Sequence, residues 1–134
     1  MLSRTADNLY WIARNMERAE TAARLLEVGA RIALLPTAEG YHSDWDSLLR
    51  ASGNATGYAA KYGAPTQQNI ESYLFFDTDN PNSVVSCITR ARENGRIVRT
   101  ALTTQVWDAV LTRRESGRTL ALFRCTQMVL YPKP

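Results

Sequence analysis

The residues able to do chemistry in this chain are glutamates and arginines. Glu17, Glu20, Glu27 and Glu93 are the glutamates within its two most regular segments. Arg14, Arg24, Arg31, Arg92, Arg96 and Arg99 stand among them. Carboxylates that converge from two helices can act as general acid and base. Guanidinium groups beside them can clamp a carboxylate or phosphate through two parallel hydrogen bonds. The candidate catalytic residues are therefore Glu17, Glu20 and Glu93, and the candidate ligand-binding residues are Arg14, Arg24, Arg92 and Arg96.

Spacing leaves three readings of these charges open. Glu20 to Arg24 and Glu27 to Arg31 are i, i+4 pairs in the favoured order, so they can close on themselves along one helix for a few tenths of a kcal/mol each. On a wheel of about 100° per residue they flank one apolar seam, and Arg92, Arg96 and Arg99 flank another. The second reading is thus a Glu–Arg network between two helices that fixes their register, with desolvation offsetting much of the attraction. The third is a true acid–base or ligand site. On the same wheel Glu17 sits further out and Glu93 well off the flank.

Other chemistries lack their residues. There is no Gly-x-x-x-x-Gly-Lys phosphate loop, no His-Glu-x-x-His and no Gly-x-Ser-x-Gly elbow. His42 is the single histidine, and Cys87 and Cys125 have no metal-ligand or redox spacing, so no metal site and no cofactor are expected. Cys87 near an apolar seam reads as an inert buried thiol. Trp11, Trp45 and Trp107 read as core or seam-edge aromatics rather than a stacking platform.

Charge and hydropathy narrow the partners. The 134 residues carry a net charge of +3, with 16 basic and 13 acidic side chains. Residues 111–134 hold five basic residues and one acid, so the remaining 110 residues sum to −1. A positive balance confined to the tail gives the body no footprint for nucleic acid. No run approaches the roughly 20 apolar residues that span a bilayer. The N-terminus lacks the apolar core of a signal peptide. No membrane partner and a cytoplasmic location are expected.

The elements that must position the glutamates are helices. Leu9, Ile12, Met16, Ala19, Ala23, Leu26, Ala30 and Ala33 step by three and four, which predicts one long helix closed by Pro36. A short helix is expected over Ser43–Ala51, capped by Ser43 or Asp44, with Trp45, Leu48 and Leu49 turned inward. Gly53, Asn54, Gly57, Gly63 and Pro65 then break the chain. Another short helix is expected over Thr66–Phe76, burying Ile70, Tyr73, Leu74 and Phe76. Asn80 as cap and Pro81 in the first turn predict the start of a second long helix. Its seam is Val84, Ile88, Ala91, Gly95, Val98, Leu102, Gln105 or Val106, and Ala109. No period-2 strands are long enough for a sheet. The expected fold is all-α, a helical bundle with two long amphipathic helices and shorter ones between them.

Two blocks carry a family resemblance. The first is Leu2-Ser3-Arg4, Leu9-Tyr10-Trp11, Ala13-Arg14, Glu17-Arg18-Ala19-Glu20 and Ala23-Arg24-Leu25-Leu26. The second is Phe75-Phe76-Asp77, Asn80-Pro81-Asn82-Ser83, Cys87-Ile88, Ala91-Arg92-Glu93-Asn94, Arg96, Val98-Arg99 and Trp107. Together they resemble the bacterial alpha-E domain family, formerly a domain of unknown function. The quoted motifs cover residues 1–110 and identify that part as N-terminal alpha-E-like sequence. Residues 111–134 read as a divergent basic tail. Within the motifs, Gln105 stands where the family pattern leads one to expect a glutamate, and Gly95 where it leads one to expect alanine.

The resemblance implies a context rather than a reaction. Such domains occur beside ATP-grasp-type amide or peptide ligases and transglutaminase-like proteins. The expected function is an accessory helical domain for such a partner. One alternative is an enzyme with an acid–base glutamate site in peptide or amide metabolism. Another is a truncated, non-functional fragment of a longer many-helix domain, whose exposed seam would favour self-association.

Overall fold

The computed structural model describes residues 2–35 and 44–106. Pro36, Ser43, His42, Trp107, Ala109, Cys125 and the basic tail, on which several expectations fall, lie outside the described residues. Among the described residues every regular element is helical. They form two compact units: Glu17–Cys87, and a second one that joins Met1–Met16 to the stretch beginning at Ile88.

Helix α1 runs Leu2–Ala33, 32 residues, as its unbroken stripe predicts. At about 1.5 Å per residue it is roughly 48 Å long. Its end tightens into turn bonds from Leu34 N–H to the Arg31 carbonyl and Leu35 N–H to the Ile32 carbonyl. The buried face is Asn8, Ile12, Asn15, Ala19, Ala23, Leu26 and Gly29. It is rotated from the expected one: Leu9 and Ala33 are exposed, and Met16 and Ala30 only half-buried. Ile12, Ala19, Ala23 and Leu26 of the expected seam are buried, and Asn8, Asn15 and Gly29 take the places of Leu9, Met16, Ala30 and Ala33.

In the unit Glu17–Cys87, helix α2 (Asp44–Ala51) turns Leu48 and Leu49 inward, with Trp45 at the edge, as expected. Gly53 follows with φ of 72°, a left-handed conformation that glycine adopts without a steric penalty. Helix α3 (Ala55–Lys61) corrects the expectation of broken chain there. Gly57 lies inside it. A Cβ at this position would come 2.3 Å from the Tyr73 hydroxyl oxygen, so the glycine serves a close approach instead of ending the helix. Helix α4 (Gln67–Glu71) is capped by Thr66, whose hydroxyl accepts from Asn69 N–H at 3.3 Å. It continues as a π-helical turn over Ser72–Phe76. Leu26, Leu48, Leu49, Tyr58, Ile70, Tyr73 and Leu74 form the core of the unit. Phe76 remains 63% exposed, and Phe75 packs against the core in its place.

Helix α5 (Val84–Ile97) starts later than Asn80-Pro81 suggested. Asn80 Oδ1 accepts from Asn82 N–H at 3.0 Å in a local turn. The cap is Ser83: its hydroxyl oxygen accepts from Ser86 N–H at 3.2 Å, and its carbonyl from Cys87 N–H at 2.9 Å. The helix also ends early. Val98, at φ −111° and ψ 27°, leads into one 3-10 turn, Arg99–Ala101, after which Leu102 is extended. Val98 and Thr100 are β-branched and lose rotamer freedom in a helix. Helix resumes at Thr104, where Thr103 Oγ1 accepts from Val106 N–H at 3.3 Å, and Gln105 and Val106, the next expected seam positions, are exposed. The expected long second helix is therefore interrupted, and α5, at 14 residues, is less than half as long as the 32 residues of α1. In the unit that joins residues 1–16 to Ile88 onward, Ile12, Ala91 and Val98 form the buried cluster, edged by Met16 and Leu102.

Candidate functional site

Helix α1 carries most of the candidate residues. An α-helix brings residues four apart onto one ridge. Arg24 accordingly donates to Glu20 Oε1 at 2.6 Å, and Arg31 pairs with Glu27 in the same way. Arg24 is 56% exposed and Glu20 28% along their side chains. In such a setting a pair contributes little to stability. A third i, i+4 pair joins Arg50 to Asp46 at 2.9 Å. The intrahelical reading of the Glu20 and Glu27 charges therefore holds.

The remaining candidates lie as follows. Glu17 is exposed on α1, where Thr21 Oγ1 donates to its backbone carbonyl at 2.9 Å. Arg14, Glu93 and Arg96 are exposed, and Arg92 is half-buried. Glu17, Glu20 and Arg24 belong to one compact unit, and Arg14, Arg92, Glu93 and Arg96 to the other. Within each unit, no group of three or more His, Cys, Asp or Glu side chains is poised to hold a metal ion among the described residues. Cys87 is fully buried, its thiol 3.8 Å from the Pro81 carbonyl.

Two features escaped the sequence. The first is a pair of buried polar atoms with no hydrogen-bond partner among the described residues, Asn15 Oδ1 and Arg92 Nε. Asn15 is only 3% exposed. Its place one turn from Ile12 was legible, but an asparagine in an arginine-rich helix gives no sign that it faces inward. The second is a clasp between α3 and the segment before α5. Lys61 Nζ donates to both carboxylate oxygens of Asp77, at 2.9 and 2.8 Å, and to Asp79 Oδ2 at 2.9 Å. Asp79 N–H also donates to Asp77 Oδ1 at 3.0 Å. These bonds to Asp77 and Asp79 hold the ammonium pKa above its ordinary value. The Lys61 bond, aided by the Asp79 N–H, holds the Asp77 carboxyl below its ordinary value, against a smaller opposing effect of burial.

Beside the clasp, Tyr58, Tyr62 and Tyr73 form an aromatic cluster. Tyr58 stacks on Tyr62 at 5.2 Å and meets Tyr73 edge-on at 5.5 Å. Tyr58 donates its hydroxyl to the Ala64 carbonyl at 2.8 Å. Burial raises the pKa of Tyr58 and of Tyr73, so both remain protonated donors. The lysine fills the place between the two aspartates that a cation would need. The arrangement is a structural tie between chain segments 16 and 18 residues apart.

A family model described as a predicted alpha-helical domain with a conserved ER motif matches residues 1–130. That span runs past residue 110, where the motifs quoted above end. The chain has one Glu-Arg dipeptide, Glu17-Arg18, on α1, with the glutamate exposed and the arginine half-buried. No match was found among curated proteins or among solved structures. No described helix is long and apolar enough to cross a membrane.

Proposed function

The chain belongs to the Alpha-E family, and on that premise we propose that it is an accessory helical domain working beside an ATP-grasp-type amide or peptide ligase or a transglutaminase-like protein. The observation that supports this reading is the state of the candidate acids. Glu20 and Glu27 are taken up by Arg24 and Arg31 on the side of a helix, in partly solvated pairs. A general acid or base works best where water is excluded, and these carboxylates keep 28% and 33% of their side-chain surface exposed. Acids held in pairs along one helix are better suited to keeping that helix solvated than to reacting.

The test is a binding measurement with E17Q/E20Q. A purified ligase or transglutaminase-like protein should bind the wild-type chain and the variant within about threefold of each other, a difference of roughly 0.7 kcal/mol. Turnover of an amide substrate by the isolated chain, abolished in the variant with its helical signal intact, would replace this reading with an enzyme whose acid–base residues are those glutamates.

A further inference from the structure

Of the seven asparagines in the chain, Asn94 alone is followed by glycine. That dipeptide carries a reaction of its own. Glycine has no Cβ to crowd its amide nitrogen, so the nitrogen of Gly95 can reach the side-chain carbonyl carbon of Asn94. A bond forms from that nitrogen to Cγ, the bond from Cγ to Nδ2 breaks, and ammonia leaves with the proton the amide gives up. Water then opens the cyclic imide at one of its two carbonyls. One opening leaves aspartate. The other leaves isoaspartate, in which the main chain runs through Cβ and Cγ. The balance is one water in and one ammonia out, with no oxidation or reduction.

The fold controls access to this reaction. Asn94 and Gly95 lie in the last turn of α5, which ends at Ile97. While that turn is formed, the α-helical pattern ties the Gly95 N–H to the carbonyl of Ala91. A ψ of about −42° also holds the nitrogen out of line with the Asn94 side chain. The turn is weakly closed, however. Val98 N–H meets the Asn94 carbonyl at 3.3 Å, a long bond. Val98 itself, at φ −111° and ψ 27°, has already left the helix. Ile97 is 64% exposed, so burial does not hold the end down there. Gly95 adds an intrinsic cost to the helix of about 1 kcal/mol relative to alanine. Segments of this kind open far more often than a whole domain unfolds.

The position also sets the consequence. Gly95 is buried, on the seam between Ala91 and Val98, which pack with Ile12. The extra main-chain methylene of isoaspartate puts Val98 out of step with Ala91. A new carboxylate in a last turn also opposes the helix dipole. We propose that Asn94–Gly95 is a site of spontaneous deamidation, gated by opening of the last turn of α5, and that the isoaspartyl product loosens the Ile12–Ala91–Val98 cluster. The end of α5 thereby limits the working life of its unit. This chemistry does not depend on the accessory-domain role.

The test ages the 134-residue chain in mildly alkaline buffer, with a parallel sample kept unfolded in guanidinium chloride. Peptide mapping by mass spectrometry follows the exchange of amide for acid at Asn94 and separates the aspartyl from the isoaspartyl form. The folded chain should convert about tenfold to a thousandfold more slowly than the unfolded one, the interval expected for opening a helix end rather than the whole unit. I97G lowers helix propensity at an exposed position, so it should speed the folded chain about twofold and leave the unfolded rate unchanged. G95A should slow conversion in both states, because its methyl crowds the attacking nitrogen. N94D has the charge without the added methylene, so its urea midpoint should fall less than that of the purified isoaspartyl chain. No conversion in the folded chain while the unfolded chain converts, equal rates in the two, or an I97G rate equal to wild type would each overturn the gating. Undiminished conversion in G95A would overturn the site, and an isoaspartyl chain as stable as wild type would overturn the loosening.

Discussion

Gly29 decides between two accounts of α1, because replacing it by alanine has opposite signs in the two. Helix propensity alone says that alanine in place of glycine in a helix interior stabilises by about 1 kcal/mol. The packing says otherwise. A Cβ at Gly29 would lie 2.6 Å from Leu48 Cδ1 and 2.9 Å from both Cη2 and Cζ3 of Trp45. Leu48 is 9% exposed and belongs to the core of its unit, and the Trp45 ring packs against that core, so neither moves without disturbing others. Overpacking of this kind costs about 1–3 kcal/mol. The larger value exceeds the propensity gain and the smaller one cancels it, so G29A is expected to be destabilising by up to about 2 kcal/mol. Chemical denaturation with urea, read by far-UV dichroism, measures it: the midpoint should fall with the slope unchanged. The double variant G29A/L48A supplies the control. Removing the leucine side chain vacates the nearest clash, so G29A should cost less in the L48A background than in the wild type. A G29A protein more stable than wild type would refute the close packing of α1 on α2.

Three further outcomes follow from other sites. I12A should lose about 2–5 kcal/mol, as large-to-small changes in a core do, whereas N15A should lose less than about 1 kcal/mol, since deleting an unpartnered buried carbonyl relieves a cost of about 1–3 kcal/mol; urea denaturation of both variants compares them. E20Q should change stability by less than about 0.5 kcal/mol because its pair with Arg24 is largely solvated, and thermal unfolding at low and high salt checks this. The clasp should be pH-dependent at both ends. Asp77 has its pKa lowered on folding, so its contribution is present above the ordinary value of 3.8 and is lost as pH falls through the lower folded value. Lys61 has its pKa raised, so its contribution is present below the ordinary value of 10.5 and is lost as pH rises through the higher folded value. The stability difference between wild type and K61A should therefore be flat across neutral pH and shrink in strong acid and strong alkali; a difference that peaks sharply near neutrality would contradict the clasp.

The single sequence determined the features that depend on neighbours along the chain. The 3-and-4 stepping from Leu9 to Ala33 specified α1, because an amphipathic stripe needs only one unbroken helix to exist. The i, i+4 order of Glu20 and Arg24 specified their pair for the same reason, as did the inward side of α2 at Leu48 and Leu49. The burial of Cys87 and the family were also legible, the latter from blocks such as Glu17-Arg18-Ala19-Glu20.

What the tertiary structure decided depends on segments that meet from a distance. Gly57 reads as a breaker until Tyr73 is seen against it, 16 residues away. Gly29 is buried because Trp45 and Leu48 press on it, and no pattern within α1 records them. Helix α5 breaks after Ile97 into a 3-10 turn and helix resumes at Thr104, although the seam periodicity runs on without a mark at the break. The Lys61 clasp and the Gly57–Tyr73 approach have the same origin. Each arises where the chain folds back on itself, and a local pattern carries no information about which residues it will meet there.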